Sequence, residues 1–367
     1  RETGLAGRWF FLSVNEYSGS EKGVLVTDRT DQMLQFVEAA EHFFARPVQR
    51  VSAPGGPARS SFRVHFSDLS VIATRRANIH RARLEAFALK RLSARCDLVP
   101  RCLGFVGGIM FQTDVGQQRL NQAIAQANQT QQLDLAAEAV ATIFRIQSEA
   151  RQTDLGAVMP RLGTSRDWNL ALVQSVRVLN TISESDPVAI DQVRAYEKLA
   201  VIGTQFVKWD CRSGNAAVDG NGQLRWFDFE FCGLRHGAED LAWLIGDEAW
   251  PLAPEAMIDI VIDAYDRGTG HPLTEYLEYL AVFLTFHCSQ RLQLILREAR
   301  QQGWLSKGHV LELDDTGAHP EFAAQLCRVG RYFAAQTRLT APLARHFDEA
   351  HLFFSGLTAE GRSLPSV

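Results

Sequence analysis

Val207-Lys208-Trp209-Asp210-Cys211-Arg212-Ser213-Gly214-Asn215 opens the most informative stretch of this chain, and Trp226-Phe227-Asp228-Phe229-Glu230 closes it. Between them Asp219-Gly220-Asn221-Gly222 is a strong hairpin turn, flanked by Ala216 to Val218 and Leu224 to Phe227. Asp210 stands five positions before Asn215 across turn-forming residues, so both side chains can curl toward one point. The hairpin carries Asp228 back beside Asn215. An acid and an amide joined in this way suit Mg²⁺, which takes a few protein oxygens and keeps its remaining positions for water and phosphate. That leaves Asp210 to orient and deprotonate a hydroxyl, the remaining requirement of phosphoryl transfer. For the Asp210–Asn215 pair alone, a surface turn with a satisfied carboxylate is an equal reading; the whole segment favours the site.

The composition is consistent with this reading and excludes others. At 367 residues with 46% hydrophobic content, the chain can bury one large core or two modest ones. A net charge of −4 and a pI near 6.2 leave no electrostatic footprint for nucleic acid. No apolar run is long enough to span a bilayer, and no signal-peptide pattern is visible. The six cysteines are scattered without C-x-x-C spacing, as expected of reduced thiols, so a cytoplasmic protein is expected. Cys211 reads as loop filling rather than as a nucleophile. The ten histidines form no H-E-x-x-H, and neither a G-x-S-x-G elbow nor a G-x-x-x-x-G-K-[ST] loop occurs.

Residues 1–45 read as an N-terminal extension, with apolar runs at Trp9 to Val14 and Val24 to Thr27. Met33, Phe36, Val37, Ala40 and Phe44 then share one helical face. Residues 46–112 are strand-rich: Val48 to Val51, Phe62 to Phe66, Leu69 to Thr74, Val99 to Val106 and Ile109 to Phe111, with one amphipathic helix over 78–95. Pro54-Gly55-Gly56-Pro57 marks a turn between the first two strands. A glutamine-rich stretch runs from Gln112 to Gln132, and from 133 onward helical periodicity dominates, interrupted by strand character at 205–231. A strand-rich lobe feeding a helical lobe over 113–367 predicts an α+β bilobal architecture.

Lys208-Trp209-Asp210 to Asn215, Phe227-Asp228-Phe229-Glu230 and Asp240-Leu241-Ala242 together resemble the aminoglycoside phosphotransferase and choline kinase-like group, whose pattern is His-Gly-Asp-x-x-x-x-Asn, a hairpin, Ile-Asp-Trp/Phe-Glu and then Asp-Leu-Ala. Upstream, Leu84-Glu85 to Leu92 resembles the helix that carries the glutamate of a lysine–glutamate pair. Val99 to Gly104 and Phe111-Gln112-Thr113-Asp114 resemble the strands leading to an adenine-binding hinge. The resemblance covers residues 48–300 in order and is sharpest over 205–242.

The resemblance implies a bilobal protein-kinase-like fold and transfer of the γ-phosphate of ATP, with GTP left open, to a hydroxyl of a small molecule. It implies Asp210 as catalytic base, Asn215 and Asp228 as Mg²⁺ ligands, and Asp240 as a structural carboxylate. Glu230 would support the metal or simply be exposed. Backbone groups of Gln112, Thr113 and Asp114 would meet the base, and the turn with Gly55 and Gly56 would cover the phosphates. Acids and aromatics of the later helices (Asp247, Glu248, Asp259, Asp263, Asp266, Glu275, Glu278, Trp243, Trp250, Tyr276, Tyr279) would line a pocket for a cationic, aminoglycoside-, choline- or sugar-like acceptor. The oligomeric state is left open.

The chain departs from the pattern at two places. Only five of its 38 basic residues are lysines, and none lies between Lys22 and Lys90, where the group has the lysine that pairs with Glu85. Arg75, on the same face as Ala73, is the expected substitute, although a planar guanidinium binds phosphate differently from an ammonium. Lys208 and Trp209 stand where the group has His and Gly; Lys208 could pair with an acid, reach a phosphate or snorkel outward. These departures motivate an alternative, a catalytically silent kinase-like nucleotide-binding or regulatory protein.

Overall fold

In the computed structural model, residues 26–360 are described, apart from 55, 57–59, 184, 188 and 220. The run at Trp9 to Val14 therefore lies outside the described residues. The helices are α1 Val26–Phe44, α2 Ile79–Leu92, α3 Leu120–Gln126, α4 Gln129–Arg151, α5 Leu155–Val158, α6 Arg166–Gln174, α7 Gln192–Leu199, α8 Ala238–Ile245, α9 Pro254–Ala264, α10 Leu273–Gln302, α11 Lys307–Leu313, α12 Pro320–Ala334 and α13 Leu343–Glu360. The strands are β1 Arg50–Ser52, β2 Ser61–His65, β3 Ser70–Arg75, β4 Cys102–Val106, β5 Ile109–Thr113, β6 Gln118–Arg119, β7 Gln205–Val207, β8 Ala216–Val218, β9 Leu224–Trp226 and β10 Gly233–Arg235.

The first lobe is an antiparallel sheet in the order β1-β2-β3-β5-β4. Strand alternation gives it two unlike faces. Phe62 and Val64 of β2, Val71 and Ala73 of β3, and Ile109 and Phe111 of β5 point one way, onto α1. Phe36 and Ala40 of α1 are buried against them, and the Phe43 and Phe111 rings stack at 5.2 Å. The expected extension thus supplies this sheet with its apolar cover.

Helix α2 starts at Asn78, whose side chain accepts the His80 N–H as an N-cap. Its inward stripe is Ala82, Glu85, Ala88, Leu89 and Leu92. A fully buried glutamate on an otherwise apolar stripe demands a cation.

The second lobe is helical around α10, which runs for 30 residues. Its middle, from Tyr279 to Ser289, is buried, as the apolar run predicts. Two small sheets are set among the helices: β7 pairs with β10, and β8 pairs with both β9 and β6. The β8–β9 hairpin turns as expected, with Asp219 Oδ1 accepting the Asn221 and Gln223 N–H groups. All six cysteines are free thiols. Among the described residues no helix is long and apolar enough to cross a membrane.

Candidate active site

The chain leaves β7 into a loop whose backbone is strained. Trp209 and Asp210 are consecutive non-glycine residues with positive φ, at 61° and 36°. Such conformations persist only where surrounding contacts impose them. Here Asp240 imposes them: its carboxylate accepts the Lys208 N–H at 3.0 Å and the Trp209 N–H at 2.7 Å. Gln147 Nε2 donates to the same carboxylate at 3.0 Å. Burial raises the Asp240 pKa to about 6 despite these bonds.

Asp210 is 5% exposed and fully engaged. Its Oδ1 accepts from Arg212 Nε at 2.9 Å and its Oδ2 from Asn215 Nδ2 at 2.9 Å. Burial works to raise its pKa, but the charges of Arg212 and Lys208 outweigh it and hold the group at about 2. The side chain is therefore ionised at neutral pH. Lys208 does not snorkel outward. It is buried, and its Nζ donates to the Asp210 carbonyl at 3.0 Å, bracing the loop from beneath.

Asn215 ends a short 3₁₀ turn, Ser213–Asn215. Its Nδ2 is committed to Asp210, which leaves Oδ1 as the oxygen for a cation. Phe227 N–H donates to the Asn215 carbonyl at 3.0 Å, so the hairpin brings Asp228 alongside as the turn chemistry predicts. Asp228 also has a positive φ, 65°. The set offers a carboxylate and an amide oxygen, hard donors suited to Mg²⁺ held jointly with phosphate oxygens. Among the described residues no group of three or more His, Cys, Asp or Glu is arranged to hold a metal without such help.

The structure does not bring Arg75 to this site. Val71, Ala73 and Arg75 share the face turned to α1, and Arg75 donates to Gln35 there, 5.4 Å from the Phe36 ring centroid. Expecting Arg75 on the same face as Ala73 had the alternation right but took the wrong face for the cleft. Arg76, one residue on, turns inward. Its Nε and Nη2 donate to Glu85 at 3.0 and 3.1 Å, Nη2 donates to Asp228 at 2.6 Å and Nη1 to Glu230 at 3.2 Å. Glu85 also accepts the Phe229 N–H at 3.1 Å. Burial works against the Arg76 charge, but Asp228, Glu85 and Glu230 together hold its pKa above the usual arginine value. Burial also pushes Glu230 up to about 7, so this acid is not the exposed residue allowed for above.

At the hinge, Gln112 pairs with Ile72 on one side and Cys102 on the other, and Thr113 N–H donates to Arg101. These two residues are committed to the sheet. The Asp114 carboxylate is held by Arg63 at 2.6 and 3.1 Å and by Ser70 at 2.6 Å. Gly55 lies outside the described residues. Gly56 has φ 82°, and a Cβ placed on it would come within 2.7 Å of Leu313.

The expected acceptor lining is corrected in part. Asp247 and Glu248 are buried beside the loop that follows β7; Asp247 accepts from Ser213 N and Oγ at 2.8 and 2.6 Å. Glu248 is clamped by Arg291, whose Nε and Nη2 lie at 3.1 and 2.5 Å. Trp250, Tyr276 and Tyr279 are core residues instead. Asp259, Asp263 and Glu275 are solvated on outer helix faces, Glu278 pairs with Lys198, and Asp266 pairs with Arg151.

The fold matches that of known small-molecule phosphotransferases. Aminoglycoside 2'-phosphotransferase-IIIa, solved as a GDP complex, aligns at a TM-score of 0.54 and 16% identity over 77% of this chain and 98% of its own. A choline/ethanolamine kinase family protein from Mesorhizobium loti aligns at 0.51 and 14%, over 88% and 99%. Spectinomycin phosphotransferase, solved as an AMP-bound complex, aligns at 0.50 and 11%, over 74% and 92%. At these identities the likeness is one of fold. No protein-family model and no curated protein matches the sequence.

Proposed function

We propose that this chain is a Mg²⁺- and nucleotide-dependent phosphotransferase that moves the γ-phosphate of ATP, or of GTP, to a hydroxyl of a small molecule. The observation that carries the reading is Asp210, an ionised carboxylate oriented through both oxygens by Arg212 and Asn215, with Asn215 joined through the hairpin to Asp228. A carboxylate with a pKa of about 2 is a weak base, so its main part is to align the acceptor hydroxyl and take its proton late. Asn215 Oδ1 and Asp228 would hold Mg²⁺, which neutralises charge on the phosphates. Arg76 would do for them what the missing lysine does in the related pattern, while keeping Glu85 and Asp228 in register. The fold shared with phosphotransferases supports the same conclusion.

One observation favours the silent alternative: both Asp210 oxygens already have partners, and Asp228 already has Arg76. The two readings separate in one assay. Phosphoryl transfer from Mg·ATP is measured across hydroxylated amines, sugars and nucleosides, for the wild type and Asp210→Asn. Transfer that falls on the order of 10²–10⁴-fold in the variant supports the enzyme. Mg·ATP binding without transfer to any acceptor, unchanged in the variant, supports the silent protein.

A further inference from the structure

The geometry points to a strap, residues 305–318, that plugs the catalytic loop with the chain's own carboxylate and must be displaced by a phosphate before the site can work. This inference rests on the phosphotransferase reading and adds a resting state to it.

The strap leaves the second lobe after α10, carries α11 and returns at α12. Its two ends are tied by Leu305 N–H donating to the Ala318 carbonyl at 2.7 Å. Between those ends it touches three separate elements: α3, the β1–β2 turn and the loop after β7. Leu311 O accepts from the buried Asn121 Nδ2 at 3.0 Å. Leu313 packs on Gly56 of the turn between β1 and β2, where any side chain would collide with it. Asp314 reaches the catalytic loop.

Both oxygens of Asp314 face the Arg212 guanidinium, Oδ1 at 3.4 Å from Nη1 and Oδ2 at 3.4 Å from Nη2. Arg119 Nη1 is 4.0 Å from Oδ2. The carboxylate lies directly on Gly214: a Cβ there would sit 2.0 Å from Oδ1. Only a residue without a side chain allows so close an approach of an anion to this loop. Asp314 itself ends α11 with left-handed φ 53° and ψ 44°. Arg212 is thus shared between two carboxylates, with Asp210 at 2.9 Å and Asp314 at 3.4 Å. The longer contacts are the ones that exchange.

Asp210, Arg212 and Asn215 are each 5% exposed, and the Asp314 carboxylate lies over Arg212 and Gly214 between them. A phosphate oxyanion carries more charge and more acceptor oxygens than a carboxylate, and a guanidinium fork takes it in two parallel bonds. A polyphosphate entering beside Arg212 therefore competes with Asp314. Releasing Asp314 frees Leu313 from the β1–β2 turn in the same movement, because the two residues are adjacent. Nucleotide arrival and opening of the loop are then one event, and the resting state lowers apparent nucleotide affinity by its own population.

Amide hydrogen exchange of the full chain tests this, in the wild type and in Asp314→Asn. Asparagine tolerates the left-handed backbone, so the variant removes charge and leaves the turn intact. Exchange over 305–318 should rise severalfold in ligand-free Asp314→Asn, and in the wild type when Mg·ATP or inorganic tripolyphosphate is added. By calorimetry Asp314→Asn should bind Mg·ATP about 3–10-fold more tightly. Leu313→Ala should loosen the same residues. Unchanged ligand-free exchange in both variants removes the strap, whatever the nucleotide does. Tight Mg·ATP binding with full protection of 305–318 retained also overturns it. Failure of both proteins to bind Mg·ATP, with the strap loosened in the variants, instead removes the phosphotransferase reading; tripolyphosphate then decides whether Arg212 exchanges Asp314 for an anion, and no response to it overturns the exchange.

Discussion

Arg76 Nη2 stands 2.6 Å from Asp228 Oδ1, so the end of β3 is joined to the end of the β8–β9 hairpin by a single guanidinium. The same group holds Glu85 of α2 and Glu230. One cation therefore sets the register between the two lobes. Its removal leaves Glu85 buried and uncompensated, which costs roughly 3–5 kcal/mol where one partner of a buried pair is lost. Arg76→Ala should lower the melting temperature strongly and abolish Mg·ATP binding. Arg76→Lys should keep the fold and part of the affinity, since a lysine retains the charge but not the fork. Arg75→Ala should change stability by no more than about 0.5 kcal/mol and leave binding alone. Thermal unfolding and calorimetry check all three; an Arg75 effect larger than that of Arg76 would put the cation on the wrong residue.

Asp228→Asn separates metal from fold. The variant keeps its volume and can still accept from Arg76, but it loses the charge that a hard cation needs. Nucleotide binding should become independent of Mg²⁺ and weaker, and EDTA should affect the wild type alone. Equal Mg²⁺ dependence in both proteins would remove Asp228 from the metal site.

The contrast between Arg75 and Arg76 shows where sequence reading stops. The juxtaposition of Asp210, Asn215 and Asp228 was legible because turn chemistry and hairpin register are local: Asp219 to Gly222 is a strong turn sequence, and the hairpin it closes joins Asn215 to Phe227. The strand-then-helix order was legible for the same reason. Which side of β3 faces the cleft is not local. It depends on α1 lying over Val71 and Ala73, and residues 1–45 read as an appendage give no reason to expect that cover. Arg212 and Asp314 were missed because 102 positions separate them and their meeting depends on how the strap is laid down. Glu85 carried a usable signal, a lone acid on an apolar stripe, which required some buried cation nearby without naming it.

Burial sets a pH dependence on stability. His287 is held neutral in an aromatic setting, its ring 4.5 Å from that of Trp243, and burial lowers its pKa from 6.5 to about 3. A histidine with a lowered folded pKa costs nothing above its unfolded value and destabilises the fold as pH falls below it. For His287 this reaches about 2 kcal/mol at pH 5. His236, lowered to about 4, acts in the same direction. Asp240 and Glu230, raised by burial to about 6 and 7, act the other way: the fold relieves their charge as pH falls from 7. His287→Phe removes one contribution and leaves the others. Its loss of melting temperature between pH 7 and pH 5 should be smaller than that of the wild type, or become a gain. Parallel curves for the two proteins would mean that His287 does not titrate between the folded and unfolded states in this range.

Lys208 offers the sharpest check on how Asp210 is kept ionised. Three cations oppose the burial of that carboxylate, Arg212 first, Lys208 second and Arg291 last. Arg212→Gln would remove the larger effect but would also release Asp314, so its result would mix charge with the position of the strap. Lys208 touches the loop from the opposite side, at the Asp210 carbonyl, which Asn215 Nδ2 also serves at 3.0 Å. Lys208→Met keeps the volume of the side chain and the second bond to that carbonyl, so the loop should hold its shape. The Asp210 pKa should then rise. In the wild type, kcat/KM should show no acid limb from this group above about pH 4. In Lys208→Met a limb should enter the measurable range from below, with kcat on the plateau little changed. Arg212→Gln should move it further in the same direction and alter KM for the nucleotide as well. A limb that stays in place in Lys208→Met, while the plateau falls, would make Lys208 a packing residue and leave Arg212 and Arg291 to keep the carboxylate charged.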